Sequence, residues 1–196
     1  MKMIKNILIA GVGGQGILFI TNILGKAAIA QNLNVRASET HGMAQRGGSV
    51  VSHVRIGSAR APLIPQGEAD YLVALEPVEA LRYLSYISKK CRALVSTFRI
   101  VPSAAQSGIG IYPPLEGILE NLMRYAEVFP VDAYSLAKTA GNPLTGNTVM
   151  LGALSTMEDF PLKQDVLKET LLSQVSPETA DINLRAFELG RKAVKK

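Results

Sequence analysis

The opening segment "IKNILIAGVGGQG" constrains the fold of this chain more than any other stretch. A short apolar run ends abruptly in glycines. Such a run reads as a buried strand, and the glycines read as a sharp turn. The residues that follow, "ILFITNILGKAAIAQN", place apolar side chains at helical spacing. Strand, tight turn and helix in this order need a sheet covered by helices, because neither element can bury its apolar face alone.

The rest of the chain repeats the alternation. "NVRAS" reads as a second short strand and "SVVSHVRIG" as an alternating strand. "DYLVALEP" and "CRALVSTF" are apolar runs of buried-strand type, and "EVFPVDA" is another strand. Helical spacing appears in "VEALRYLSYIS", "LEGILENLMRYA", "AYSLAKTAG", "NTVMLGALSTME", "QDVLKETLLSQV" and "PETADINLRAFELGRKAVKK". Residues 99–114 read as a loop with room for a short edge strand. Gly141 is placed to end one helix, Asn147 to cap the next, and Ser176 with Pro177 to begin the last. The pattern predicts a three-layer α/β/α domain with a mainly parallel sheet, a Rossmann-like glycine turn and a helical C-terminus. The alternation in "SVVSHVRIG" predicts that the sheet is mixed. Residues 1–196 are read as a single domain, a length that buries a core without covalent staples.

Composition narrows the function. The chain has one cysteine, Cys91, and two histidines. An iron–sulfur cluster needs about four thiolates, so this chain cannot hold one. No metal site is expected. With no internal disulfide and no long apolar run, the protein reads as soluble and cytoplasmic, without a membrane partner. The net charge of +5 is spread along the chain apart from the "RKAVKK" tail. No basic stripe with interleaved aromatics marks a nucleic-acid surface.

Gly11, Gly13 and Gly16 stand at G-x-G-x-x-G spacing, after a strand and before a helix. That arrangement can present helix N–H groups to a phosphate. Glu39, after the next strand, stands as a stretched match to a ribose-binding acid. A turn needed only for packing explains the same glycines. No lysine follows in the manner of a phosphate loop: Gln15, Gly16 and Ile17 occupy those places.

"ETHGMAQRGGSVVSHV", residues 39–54, is the densest stretch of chemistry-bearing residues. His41 could exchange protons, and Arg46 could clamp a carboxylate or phosphate. Gln45 could orient a polar group. Gly47 and Gly48 permit positive φ or close approach. Asp70, Glu76 and Glu79 lie near a strand end, with Glu76 placed to cap the following helix. His53, in a strand, reads as a packed or half-exposed histidine, and Cys91 as a buried core residue. No Ser–His–Asp elbow spacing is present.

"GVGGQGI", "E-HGMAQRGGSVVSHVRIG", "PLIPQGEADYLVALEPVEALRYL" and "NLRAFELGRK" together resemble the gamma-type subunits of the 2-oxoacid:ferredoxin oxidoreductases. The "HGMAQRGG" wording resembles their indolepyruvate branch. The resemblance spans essentially the whole chain. It implies a small subunit that acts only with a large alpha subunit. Thiamine diphosphate, Mg and the iron–sulfur clusters are then expected on that partner, with coenzyme A as co-substrate and ferredoxin reached indirectly. A dimer of heterodimers is the implied assembly. Gly13, Gly14, Gln15, Gly16, His41, Gln45, Arg46 and Gly47 are expected to form the surface facing the partner's thiamine and coenzyme A site. A gamma subunit for pyruvate, 2-oxoisovalerate or 2-oxoglutarate, and a stand-alone NAD(P)-binding oxidoreductase, are the alternatives.

Overall fold

Strands buried on both faces build the molecule: Lys5–Val12, Ser49–Ile56 and Ala69–Ala74 are buried at nearly every residue. In the computed structural model, residues 4–41, 47–102, 107–108 and 110–194 are described, the side chain of His41 excepted. Among these residues, six strands form one sheet: β1 Lys5–Val12, β2 Val35–His41, β3 Ser49–Ile56, β4 Ala69–Ala74, β5 Ile87–Ser96 and β6 Glu127–Val131. Their order is β2-β3-β1-β4-β5-β6. β1, β4, β5 and β6 run parallel, while β3 is antiparallel to both β1 and β2. The sheet is therefore mixed, as "SVVSHVRIG" predicts.

Successive strand residues point to opposite faces. Ile7, Ile9, Val54, Tyr71, Val73 and Leu94 pack on one side, against α1 Ile17–Ala30, α4 Ala133–Ala140, α5 Gly146–Leu154, α6 Gln164–Ser173 and α7 Pro177–Ala193. Leu8, Ala10, Val51, Leu72, Ala93 and Val95 pack on the other, against α2 Pro77–Arg82 and α3 Leu115–Met123. Three layers result. Each fully buried Ile or Leu contributes about 1.5–3 kcal/mol from removal of apolar area from water.

The sequence expectations hold at most element positions and shift at three. The helix read through "VEALRYLSYIS" stops at Arg82, and a 3-10 turn at Leu84–Tyr86 follows. The described part of 99–114 contributes no strand. α5 begins at Gly146 with Thr145 as its N-cap, because a 3-10 turn at Pro143–Thr145, capped by the Asn142 side chain, runs directly into it. Asn147 therefore lies inside the helix and is not its cap. Gly141 ends α4 at φ 118°, as its position predicts. No helix of the described residues is long and apolar enough to cross a membrane.

Candidate functional site

The carboxyl ends of the parallel strands carry the glycine turn and, beside it, the start of β3. β1 ends at Val12, which pairs with Ser49 at the start of β3. Gly13 N–H then donates to the Gly48 carbonyl at 2.9 Å. The glycine turn and the re-entry of the β2–β3 connection are thus neighbours. His41 ends β2, its backbone opposite Val50. Gln45 and Arg46, with the side chain of His41, lie outside the described residues. Gly47 is described and adopts φ 72°.

Within the turn, Gln15 folds back over the strand ends. Its Oε1 accepts from Val12 N–H at 2.7 Å, and its Nε2 donates to the Leu75 carbonyl at 2.8 Å. One side chain thereby satisfies a donor at the end of β1 and an acceptor just after β4, both of which would be costly to leave unpaired. A Cβ on Gly11 would fall 2.7 Å from Gln15 Oε1. A Cβ on Gly16 (φ 83°) would fall 2.1 Å from Asn147 Nδ2. Both glycines are accounted for by close contacts inside the chain. Glu39 stands on β2, opposite Ser52 of β3, and β3 separates β2 from β1. Two strand spacings, about 10 Å, thus lie between Glu39's strand and the glycine turn.

A cleft of about 430 Å³ opens beside the turn. Gly13, Gln15, Leu75, Phe98, Tyr134 and Asn147 are among its lining residues. The Phe98 and Tyr134 rings stack at 4.6 Å with 11° between planes. They are 40% and 42% exposed, so this aromatic pair is a surface feature and not core. The cleft combines apolar walls with amide groups, a composition suited to an organic ligand or a partner side chain.

Asp70, Glu76 and Glu79 do not form one cluster. Asp70 lies at the start of β4, where its Oδ2 accepts from Asn6 N–H at 2.8 Å. Glu76 and Glu79 lie after the other end of that strand, on the first turn of α2. Glu76 caps α2 by accepting from Val78 and Glu79 N–H, as the sequence predicts. Burial raises the Tyr112 hydroxyl above its ordinary range, and its hydrogen bond to Glu76 adds to the rise. Tyr112 and the Phe98–Tyr134 pair are site features that carry no motif signal, while Ser49 and Tyr83 lie in the stretches that carry the family resemblance without being singled out there.

Cys91 is 1% exposed, and burial pushes its thiol up to about 12. The donor set does not fit an iron–sulfur cluster: the one thiol is buried and held protonated. Among the described residues there is no group of three or more His, Cys, Asp or Glu that could hold a metal ion.

Comparison with known proteins decides the family. Residues 6–193 match the family described as pyruvate ferredoxin/flavodoxin oxidoreductase. The chain belongs to this family. Indolepyruvate oxidoreductase subunit IorB of Thermococcus kodakarensis is 43% identical over 193 residues, covering 97% of this chain and 96% of that protein. The IorB subunit of Archaeoglobus fulgidus is 42% identical over 186 residues, covering 94% and 92%. In fold, the chain is similar to a 2-oxoglutarate:ferredoxin oxidoreductase from Magnetococcus marinus, solved with 2-oxoglutarate, coenzyme A and succinyl-CoA bound. The TM-score is 0.75 at 24% identity, covering 98% of this chain and 31% of that one. In that oxidoreductase the same fold is one part of a longer polypeptide.

Proposed function

We propose that the chain is the small subunit of an indolepyruvate-type 2-oxoacid:ferredoxin oxidoreductase that acts only with its large subunit in the cytoplasm. The observation that carries this reading is identity of 42–43% to IorB subunits over nearly the full length of both partners. The reaction class is oxidative decarboxylation. A 2-oxo acid and coenzyme A give an acyl-CoA and CO2, and the two electrons released pass to oxidised ferredoxin. Thiamine diphosphate, Mg and the iron–sulfur clusters belong to the large subunit, consistent with the single buried thiol here.

In this reading, Gly13, Gly14, Gln15, Gly16, His41, Gln45, Arg46 and Gly47 face the partner's thiamine and coenzyme A site. Support comes from the Gly13–Gly48 hydrogen bond, which brings the glycine turn beside Gly47 and Gly48 at the carboxyl edge of the sheet. Open α/β sheets place ligands at that edge. Arg46 would meet a carboxylate or phosphate in bidentate fashion.

The test is co-purification with the large subunit, then turnover on aryl pyruvates, pyruvate, 2-oxoisovalerate and 2-oxoglutarate with ferredoxin as acceptor. Preference for aryl pyruvates supports the indolepyruvate assignment. Preference for another oxo acid transfers the chain to that branch. Oxidation of a substrate by the small chain alone with NAD(P) would overturn the subunit reading.

A further inference from the structure

Two buried carboxylates stand three residues apart at the start of α2. Glu76 is 2% exposed and Glu79 is 5% exposed. Each reaches a different segment of the carboxyl edge. Glu79 accepts from the Ser49 hydroxyl, which also lies 3.0 Å from the Tyr83 hydroxyl. Ser49 follows Gly48, the residue that holds the glycine turn. Arg82 Nε donates to the other oxygen of Glu79 at 2.8 Å. Glu76 uses Oε2 to cap α2 and Oε1 to accept from Ile100 N–H at 3.3 Å and from the Tyr112 hydroxyl. Phe98 and Ile100, on that second segment, line the cleft.

The cap on α2 accounts for Oε2 of Glu76 and the Arg82 pair for Oε1 of Glu79, while the second oxygen of each carboxylate reaches a segment outside α2. A carboxylate taken out of water is unfavourable unless its lone pairs are met, and an apolar residue would fill the same space without that cost. A carboxylate also accepts several hydrogen bonds at once, which lets one side chain tie separate segments together.

We propose that Glu76 and Glu79 are positioning residues. Through them the first turn of α2 is the common anchor for the Gly47–Ser49 stem and for the segments that hold Phe98–Ile100 and Tyr112. The glycine turn and the aromatic wall of the cleft thereby keep one fixed spacing on the surface that meets the large subunit. The inference rests on the proposed function, because it assigns that geometry to the reaction of the assembled complex. Small misplacements of supporting groups are sufficient to slow a reaction without unfolding the protein.

The experiment uses the complex with the large subunit and removes only hydroxyls. Ser49→Ala cuts the link to Glu79, Tyr112→Phe cuts the link to Glu76, and Ser49→Thr restores the first donor. Ser49→Ala and Tyr112→Phe are expected to lower kcat/KM for the oxo acid about tenfold with co-purification unchanged, and Ser49→Thr to recover it. Amide exchange supplies a readout apart from activity. Ser49→Ala should speed exchange at Gly47–Val50 only, and Tyr112→Phe at Phe98–Ile100 only. Should Ser49→Ala fail to assemble, Ser49→Cys, which exchanges the hydroxyl for a weak thiol donor, tests the first link. Arg46→Ala separates this inference from the one beneath it. Impaired turnover in Arg46→Ala with both hydroxyl variants at full kcat/KM overturns the anchor alone. Silence in all three overturns the facing surface and the anchor with it. Unchanged exchange in both hydroxyl variants also overturns the anchor.

Discussion

The side-chain amide of Asn147 stands 2.1 Å from the place that a Cβ on Gly16 would occupy. Gly16 also holds φ 83°, a left-handed conformation that costs an L-residue about 1–2 kcal/mol. Two independent penalties therefore meet at one position. Gly16→Ala should destabilise the chain by about 2–4 kcal/mol. Asn147→Ala in the same chain should return the steric part and leave the backbone part. Urea unfolding of the two single variants and the double variant measures the split as a coupling energy.

Gln15 joins Val12 N–H to the Leu75 carbonyl across two strands. Gln15→Ala leaves one donor and one acceptor unpaired, for an expected loss of about 2–4 kcal/mol. Gln15→Glu keeps the acceptor for Val12 but turns an oxygen toward the Leu75 carbonyl, so it should also destabilise at neutral pH. Acidification should recover part of the Gln15→Glu loss, because a protonated carboxyl can donate to Leu75. Unfolding free energies of both variants at two pH values check the pair.

His53 lies buried with Nδ1 accepting from Ile64 N–H at 3.2 Å, which requires a neutral ring at that nitrogen. Burial lowers its pKa below 6.5, and the neighbouring Arg55 charge lowers it further. The unfolded chain therefore binds the proton more readily than the folded chain does. The stability tied to His53 is fully present above about pH 6.5 and is lost as pH falls through the depressed folded value. The slope is at most about 1.4 kcal/mol per pH unit for one proton. Urea midpoints should fall between about pH 7.5 and pH 5.5, and His53→Gln should flatten that fall.

Much of this fold can be read along the chain, and most of the site cannot, for one physical reason. β1, β4 and the second half of β5 announce themselves because each holds an apolar run buried on both faces: residues 7–10, 71–74 and 93–95. β3 also shows in the sequence, yet its alternation does not mean that one face meets water. Ser52, His53 and Arg55 are all buried and find partners in Thr21, Ile64 and Asn6. The site depends on pairs that the sheet order creates. Gln15 and Leu75 are 60 residues apart, and Glu76 and Tyr112 are 36 apart. No periodicity or spacing rule connects such residues before the strand order is known. The same order takes Glu39 away from the glycine turn, since β3 sits where a Rossmann pattern would place β2. Asn147 misleads as a cap because a 3-10 turn carries the helix start upstream of it.

Cys91 gives a chemical check on the interior. Its thiol is 1% exposed and raised to about 12, so almost no thiolate exists near neutrality. A disulfide reagent such as DTNB should leave the native chain unlabelled at about pH 8 and titrate a single thiol after denaturation. Rapid labelling of the folded chain would contradict the burial of Cys91 on β5.

The crossing of α5 over α7 supplies the sharpest stability prediction. A Cβ on Gly190 would fall 1.9 Å from the Val149 carbonyl oxygen, and one on Gly152 would fall 2.0 Å from that of Phe187. Both obstacles are backbone atoms within helices, so no side-chain rotation relieves them. Gly190→Ala and Gly152→Ala should each cost more than about 4 kcal/mol or prevent recovery of soluble protein. Gly25 is a helical glycine of α1, and a Cβ there would meet nothing within 4 Å. Gly25→Ala should therefore stabilise by about 0.5–1 kcal/mol, since it lowers the entropy of the unfolded chain without strain in the helix. Thermal and urea unfolding of the three variants decides the matter. One chemical change at three helical positions should give opposite signs, set by whether another backbone occupies the space.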